Sequence, residues 1–108
     1  MKNDSAYKKF KEIADFFVND FPDVEHGKMM SAEAIVIQKK VIAFYYKSEM
    51  CFRLGKDFEI ESLKPSSWHY LNPFKNKPPM IAWFCISDKD IQLWDNLCQK
   101  AYDFTRKL

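Results

Sequence analysis

Apolar residues recur at helical spacing near both ends of this chain. In "SAYKKFKEIADFFVND" the large apolar residues return every three or four positions while lysines and acidic residues occupy the other face, which predicts a helix over about residues 5–19 that ends before Pro22. A second stripe follows Ser87, whose hydroxyl can cap a helix, and Asp90 favours the positive end of the dipole of that helix. Its members are Ile91, Trp94, Leu97, Cys98, Ala101 and Phe104 or Tyr102.

The residues between these two stripes follow strand patterns. "AEAIVIQ" and "VIAFYYK" predict a hairpin with Lys39 and Lys40 at its tip, and "MCFRLG" predicts the next strand. "DVEHGKMM" indicates a short strand or an irregular lead-in, with Gly27 at a bulge or a close backbone approach. "KDFEIESL" predicts a short helix that Pro65 terminates. "SWHYLNPF" predicts an edge strand, because Pro73 cannot donate to a ladder, and "KPPMIAWFCIS" predicts the last strand.

This order of elements indicates the fold class. Strands between segregated helices predict an α+β domain over residues 1–108, with an antiparallel sheet of five or six strands, N- and C-terminal helices and a short middle helix, in two layers.

Three of the predicted strands are apolar on both faces. Alternate residues point to opposite sides of a strand, and the bulkier sets are assigned to the helix-covered side. For the last strand the reverse assignment stays open. The residues left for the open side of the sheet are Val36, Val41, Ala43, Tyr45, Ile81 and Trp83.

An open face of this kind predicts a partner. Six side chains of about 60 to 100 Å² each make roughly 350 to 600 Å² of apolar surface, the largest patch that a monomer normally exposes. We therefore expect a homodimer or another protein to cover it. The expected contacts are Val41, Ala43, Tyr45, Ile81 and Trp83. Alternatively, the first helix or the segment "WHYLNPF" folds over this face.

Charge does not favour a nucleic-acid partner. Seventeen Lys and Arg against fifteen Asp and Glu leave a net charge of +2, far from the dense positive field of most nucleic-acid-binding domains. A nucleic-acid-linked regulator nevertheless stays an alternative, because loop lysines beside stacking aromatic residues can hold a single strand. The lysines are Lys39, Lys40, Lys75 and Lys77, and the aromatic residues are Trp68, Tyr70 and Phe74.

Candidate chemistry is sparse. The three cysteines are odd in number and lie in apolar surroundings, which favours buried, reduced thiols over a disulfide or a metal site. His26 and His69 do not stand at a metal-ligand spacing from other donors. Two glycines cannot build a phosphate-binding loop. We therefore expect no enzyme activity and no cofactor, although an aromatic pocket around Trp68, His69 and Trp83 would suit a small molecule.

The N-terminal sequence predicts the cellular location. "MKNDSAYKKF" lacks the apolar run of a signal peptide, and no stretch of about 18 apolar residues follows, so a cytoplasmic protein without a membrane span is expected.

Residues from about 28 to 106 resemble the TfoX N-terminal domain family, also called TfoX/Sxy-like. The similar segments are "GKMMSAEAIVI", with Met29 and Met30 where the family has Met-Phe, then "KVIAFYYKSEMCFRLG" and "KPPMIAWFCIS". The chain departs from the family pattern at Ser31, which replaces a glycine, and at Ile81-Ala82, which replaces a charged pair. The resemblance implies an antiparallel sheet with helices on one side, of the secretion-chaperone-like kind. It also implies a regulatory role, since relatives include regulators of competence in which a second domain is attached.

Overall fold

The computed structural model describes residues 5–72 and 76–108 and confirms the α+β class. Six antiparallel strands form one sheet in the order β1-β2-β3-β4-β6-β5. The elements in chain order are α1 (Ser5–Asp20), β1 (Val24–Met29), β2 (Ala32–Ile37), β3 (Lys40–Tyr46), β4 (Glu49–Arg53), a 3₁₀ turn (Ile60–Leu63), β5 (His69–Leu71), β6 (Met80–Ser87), a second 3₁₀ turn (Asp88–Leu93) and α2 (Trp94–Thr105). Within the described residues, no helix is long and apolar enough to cross a bilayer.

Both long helices cover the same side of the sheet. The buried residues of α1 repeat at the predicted helical spacing, and those of α2 do the same around Trp94, which is fully buried. They join one core with Phe52, Phe84 and Ile86 of the sheet. We call this covered side of the sheet the helix side and the other side the second face.

The C-terminal helix begins later than its sequence predicts. Ser87 Oγ accepts a hydrogen bond from the backbone N–H of Lys89 at 3.3 Å, but a 3₁₀ turn with a kink at Asp90 precedes α2. Asp90 is only 3% exposed, and its carboxylate accepts hydrogen bonds from the backbone N–H groups of Ser66 at 2.8 Å and Ser67 at 3.5 Å. The carboxylate therefore holds the loop after the first 3₁₀ turn rather than capping a helix. The predicted middle helix is also corrected, because it is only the first 3₁₀ turn and is four residues long.

A β-bulge between β2 and β3 changes which side chains reach the second face. Ile35 pairs with Ala43 but Val36 pairs with Val41, so Ile42 is an extra residue on β3. The alternation along β3 shifts at this residue. Ala43 and Tyr45 consequently pack on the helix side, and their predicted place on the open face is wrong.

Two hairpin turns use non-glycine residues with positive φ. Gln38 and Lys39 have φ values of 49° and 69°, and Lys47 and Ser48 have φ values of 49° and 67°. Positive φ at both central residues is the feature of type I′ turns, whose twist matches that of the flanking strands. The first hairpin is therefore confirmed, with its tip at Gln38 and Lys39, while Lys40 begins β3.

Candidate functional site

The second face of the sheet carries its own small core, built only from strand residues. We call it the second-face cluster. Val36 and Trp83, which the sequence assigns to this side, belong to it at 9% and 5% exposure, and Val41 packs against it partly buried. The low exposure shows that the protein itself covers most of this surface. The buried members are Ala34, Val36, Phe44, Cys51, Leu71, Trp83 and Cys85.

A cavity of about 380 Å³ opens on the second face. Its lining includes residues of the β1–β2 turn at one edge of the sheet and of β5 at the other edge, so the sheet must curve toward this side. Leu71 and Asn72 contribute to the wall, but "HYL" of the segment "WHYLNPF" is the edge strand β5 and extends the sheet rather than folding over its second face. Other residues of its wall include Met29, Met30, Phe44 and Tyr46.

Large apolar side chains stand exposed at the cavity and at the start of β6. Met30 is 63% exposed in the β1–β2 turn, and Tyr46 is 52% exposed at the end of β3. Ile81, at the start of β6, is 48% exposed, and Trp83 lies under the Arg53 guanidinium at 4.9 Å from the ring centre. Of the predicted partner contacts, Ile81 is therefore the exposed one, whereas Trp83 is nearly covered.

Cys51 and Cys85 form a disulfide at the floor of the cavity, so the prediction of reduced thiols is wrong for these two residues. They are directly opposed on β4 and β6, with Cα atoms 4.0 Å apart and a sequence separation of 34. Nothing in their sequence spacing points to the pairing. Cys98 is free and buried as predicted, and burial, together with the nearby Asp95 carboxylate, raises the pKa of its thiol.

Glu49 and His69 form a polar pair in the cavity wall. The Nε2 atom of His69 lies 3.0 Å from each carboxylate oxygen of Glu49, and Nδ1 lies 2.9 Å from the carbonyl oxygen of Tyr70. Partial burial disfavours the charged imidazole. The hydrogen bonds to the Tyr70 carbonyl and to Glu49, with the charge of Glu49, outweigh it and raise the pKa of His69 above its ordinary value.

These four residues come together through the topology of the sheet. Glu49 and Cys51 are two residues apart on β4 and therefore share a face. Cys85 is opposite Cys51 on β6, and His69 is opposite Cys85 on β5. One carboxylate oxygen of Glu49 and the two sulfur atoms lie within 4.8 Å of one another. Sequence reasoning missed this group because β4, β6 and β5 are adjacent only in space.

The residues of the predicted aromatic pocket do not come together in the structure. Trp68 packs against Phe84 on the helix side, while Trp83 lies on the second face, so the predicted aromatic pocket around Trp68, His69 and Trp83 is wrong.

The predicted nucleic-acid lysines are only partly described. Lys39 lies in the β2–β3 turn and Lys40 begins β3, while Lys77 precedes β6 at the same end of the sheet. Lys75 and Phe74 lie outside the described residues. Tyr70, a predicted stacking partner, packs on Phe84 on the helix side.

Comparison with known proteins adds no relative. Protein-family models, curated proteins and solved structures were compared with this chain, and none of them matches it. The resemblance to the TfoX N-terminal domain family therefore stays a prediction.

Proposed function

We propose that this protein is a non-enzymatic binding module that takes a large apolar side chain of a protein partner into the cavity on its second face. The cavity carries the proposal. Its volume of about 380 Å³ lies within the range of roughly 300 to 1,000 Å³ that is usual for binding pockets. Its wall is mainly apolar, and its polar side chains are those of Ser31, Glu49, His69 and Asn72.

The exposed rim supports a protein partner rather than a fully enclosed small molecule. Met30 and Tyr46 line the cavity and also extend into solvent at 63% and 52% exposure. Aromatic residues and methionine are enriched in protein interfaces, and the unbranched Met side chain can adapt to different partners. A partner that inserts one side chain would cover both rim residues at the same time.

The burial of the second-face cluster excludes a broad, flat interface on this side of the sheet. A flat interface would require Val36 and Trp83 to be exposed, but they are 9% and 5% exposed. Among the described residues of the second-face cluster, the surface that is left for a partner is mainly the cavity and its rim. The contact is therefore a small one, centred on a single anchor, and such an anchor carries most of the energy of an interface.

Filling the cavity tests the proposal. Ala32 lies in the cavity wall, so Ala32→Trp should occupy the space that the anchor needs. Peptides selected from a random library on the wild-type protein should carry a large apolar residue, and Ala32→Trp should weaken their binding by at least about tenfold. Phe16→Ser is the matched control, because Phe16 is 51% exposed on α1, outside the cavity, and peptide binding should not change.

The same measurements contain the results that would overturn the proposal. Circular dichroism establishes that Ala32→Trp is folded, and a folded variant that still binds the selected peptides would exclude the cavity. Sedimentation equilibrium at micromolar concentration should give a monomer. A dimer that Ala32→Trp dissociates would instead identify a second copy of this chain as the occupant.

A further inference from the structure

The floor of the cavity combines four side chains whose donor atoms suit a metal ion. Glu49, Cys51 and Cys85 bring a carboxylate oxygen and two sulfur atoms within 4.8 Å of one another, and His69 adds an imidazole nitrogen 3.0 Å from that carboxylate. Thiolate, imidazole and carboxylate are the ligand types that zinc takes in proteins, almost always four in number and tetrahedral in structural sites. We propose that, after reduction of the Cys51–Cys85 disulfide, these four residues bind one zinc ion.

Three of the four donors already lie close to the spacing that a single ion requires. With Zn–S distances of about 2.3 Å and Zn–O or Zn–N distances of about 2.0 Å, neighbouring ligands of a tetrahedral zinc ion stand roughly 3.3 to 3.8 Å apart. The Glu49 oxygen and both sulfur atoms already lie within 4.8 Å of one another. After reduction the two sulfur atoms must move apart from their bonding distance, and the His69 ring must turn from Glu49 toward them, and both changes are rotations of side chains.

His69 is oriented as a metal ligand would be. Its Nδ1 atom lies 2.9 Å from the backbone carbonyl oxygen of Tyr70, and its Nε2 atom faces the Glu49 carboxylate. Metal-binding histidines commonly donate their second ring N–H to a carbonyl or carboxylate, which fixes the ring and leaves the other nitrogen free for the ion. With Nδ1–H donated to Tyr70, Nε2 needs only to lose the proton that it shares with Glu49 to present a lone pair to an ion beside the carboxylate.

The oxidation state of the two sulfur atoms controls the site. In the disulfide the sulfur atoms are bonded to each other, and neither is the thiolate that binds zinc. A dithiol reductant transfers two electrons and two protons to the disulfide, breaks the S–S bond and becomes a disulfide itself. Zinc then displaces one proton from each thiol. The two thiolates and the Glu49 carboxylate supply three negative charges to the divalent ion.

The cavity gives the ion a route from solvent. All four donors line it, and the side chains of Glu49 and His69 are 28% and 56% exposed. Zinc can therefore reach the sulfur atoms without opening of the sheet. This inference does not depend on a partner for the cavity, since a metal site would exist whether or not an anchor side chain binds above it.

Zinc binding can be measured directly on the intact chain. Protein reduced with a dithiol and desalted without oxygen should retain one equivalent of added zinc, and the oxidised protein should retain none. Cobalt in place of zinc should give intense thiolate-to-metal absorption bands. Cys51→Ser should abolish these bands, and His69→Ala should weaken zinc binding by more than the roughly 10- to 100-fold that loss of a hydrogen-bond partner of a metal ligand costs.

Matched variants separate this site from unspecific binding. Cys98→Ser removes the third cysteine, which is buried elsewhere, and His26→Ala removes the other histidine, which lies beside Asp15 of α1. Both variants should bind zinc as the wild type does. Glu49→Gln keeps the shape of the side chain, so it tests the site even where Cys51→Ser does not fold. Equal zinc uptake by the oxidised and reduced forms, or uptake unchanged by Glu49→Gln, would overturn the proposal.

Discussion

Replacement of Gly27 by alanine should destabilise the protein through a single contact across the β1–β2 pair. A Cβ atom at position 27 would lie 2.5 Å from Cγ2 of Val36, whereas nonbonded carbon atoms prefer about 3.5 to 4.0 Å. The valine must therefore move by about 1 Å. It is only 9% exposed and β-branched, so few other side-chain conformations are open to it.

The cost can be worked out from this contact. Overpacking of a core costs typically about 1 to 3 kcal/mol, and the loss of glycine from a strand returns about 0.5 to 1 kcal/mol. We expect Gly27→Ala to lower the free energy of unfolding by about 1 kcal/mol. In the background Val36→Ala the clashing methyl groups are gone, and the same change should then stabilise the protein by about 0.5 kcal/mol.

Urea denaturation followed by tryptophan fluorescence measures all four proteins of this double-mutant cycle. The coupling energy between positions 27 and 36 should be about 1.5 kcal/mol, well above the roughly 0.3 to 0.5 kcal/mol within which independent sites add. His26→Ala, at an exposed neighbouring position, is the control for a change in β1 itself. Additive effects of Gly27→Ala and Val36→Ala would refute the contact with Val36 as the reason for the glycine.

Three further outcomes follow from particular contacts. Asp90→Ala should lower the free energy of unfolding by about 2 kcal/mol, because two backbone N–H groups lose a charged acceptor. Asp90→Asn should lower it less, because the amide oxygen can still accept a hydrogen bond. Equal losses for the two variants in urea denaturation would contradict this. Lys39→Gly should stabilise the protein by about 0.5 to 1 kcal/mol because Lys39 has φ 69°, while Lys40→Gly, in an extended strand, should destabilise it. Without reductant, a thiol reagent should find no reactive group in the native protein and one, Cys98, after denaturation. A native thiol that reacts rapidly would show that burial does not protect it.

Helix periodicity predicted the covered side of the sheet well. The spacing of apolar residues in the first helix gave its buried face directly, because an isolated helix repeats with one period and packs one stripe on the sheet. Strand parity worked in the same way for Val36 and Trp83. Within a regular strand, one correctly assigned residue determines the direction of all its neighbours.

Parity failed on β3 because one residue is inserted there. Ile42 has no partner of its own on β2, and every residue after it changes side. Ala43 and Tyr45 therefore lie on the helix side, while Phe44 takes the second face. A bulge depends on the pairing of two strands. The apolar run of β3 alone carries no sign of it, since all of these residues suit either side.

The candidate site escaped the sequence for a related reason. Cys51 and Cys85 belong to strands that pair directly although β5 lies between them in the chain, and His69 joins them from β5 at the edge of the sheet. Most metal motifs are identified by the short spacing of their ligands in the sequence. Donors that lie opposite each other on three strands have no such spacing. Only the strand order places them on one face.

The strand order also explains why the second face could be apolar in a two-layer fold. Curvature brings the β1–β2 turn and β5 to opposite walls of one cavity, and the disulfide lies between these walls. Most of the apolar surface is then covered by the sheet itself, and the exposed part includes Met30 and Tyr46. The space that remains is small and has the Glu49–His69 pair in its wall. Ala32→Trp removes the space but no zinc donor, whereas Glu49→Gln removes a donor but no space, so the binding module and the metal site can each fail alone.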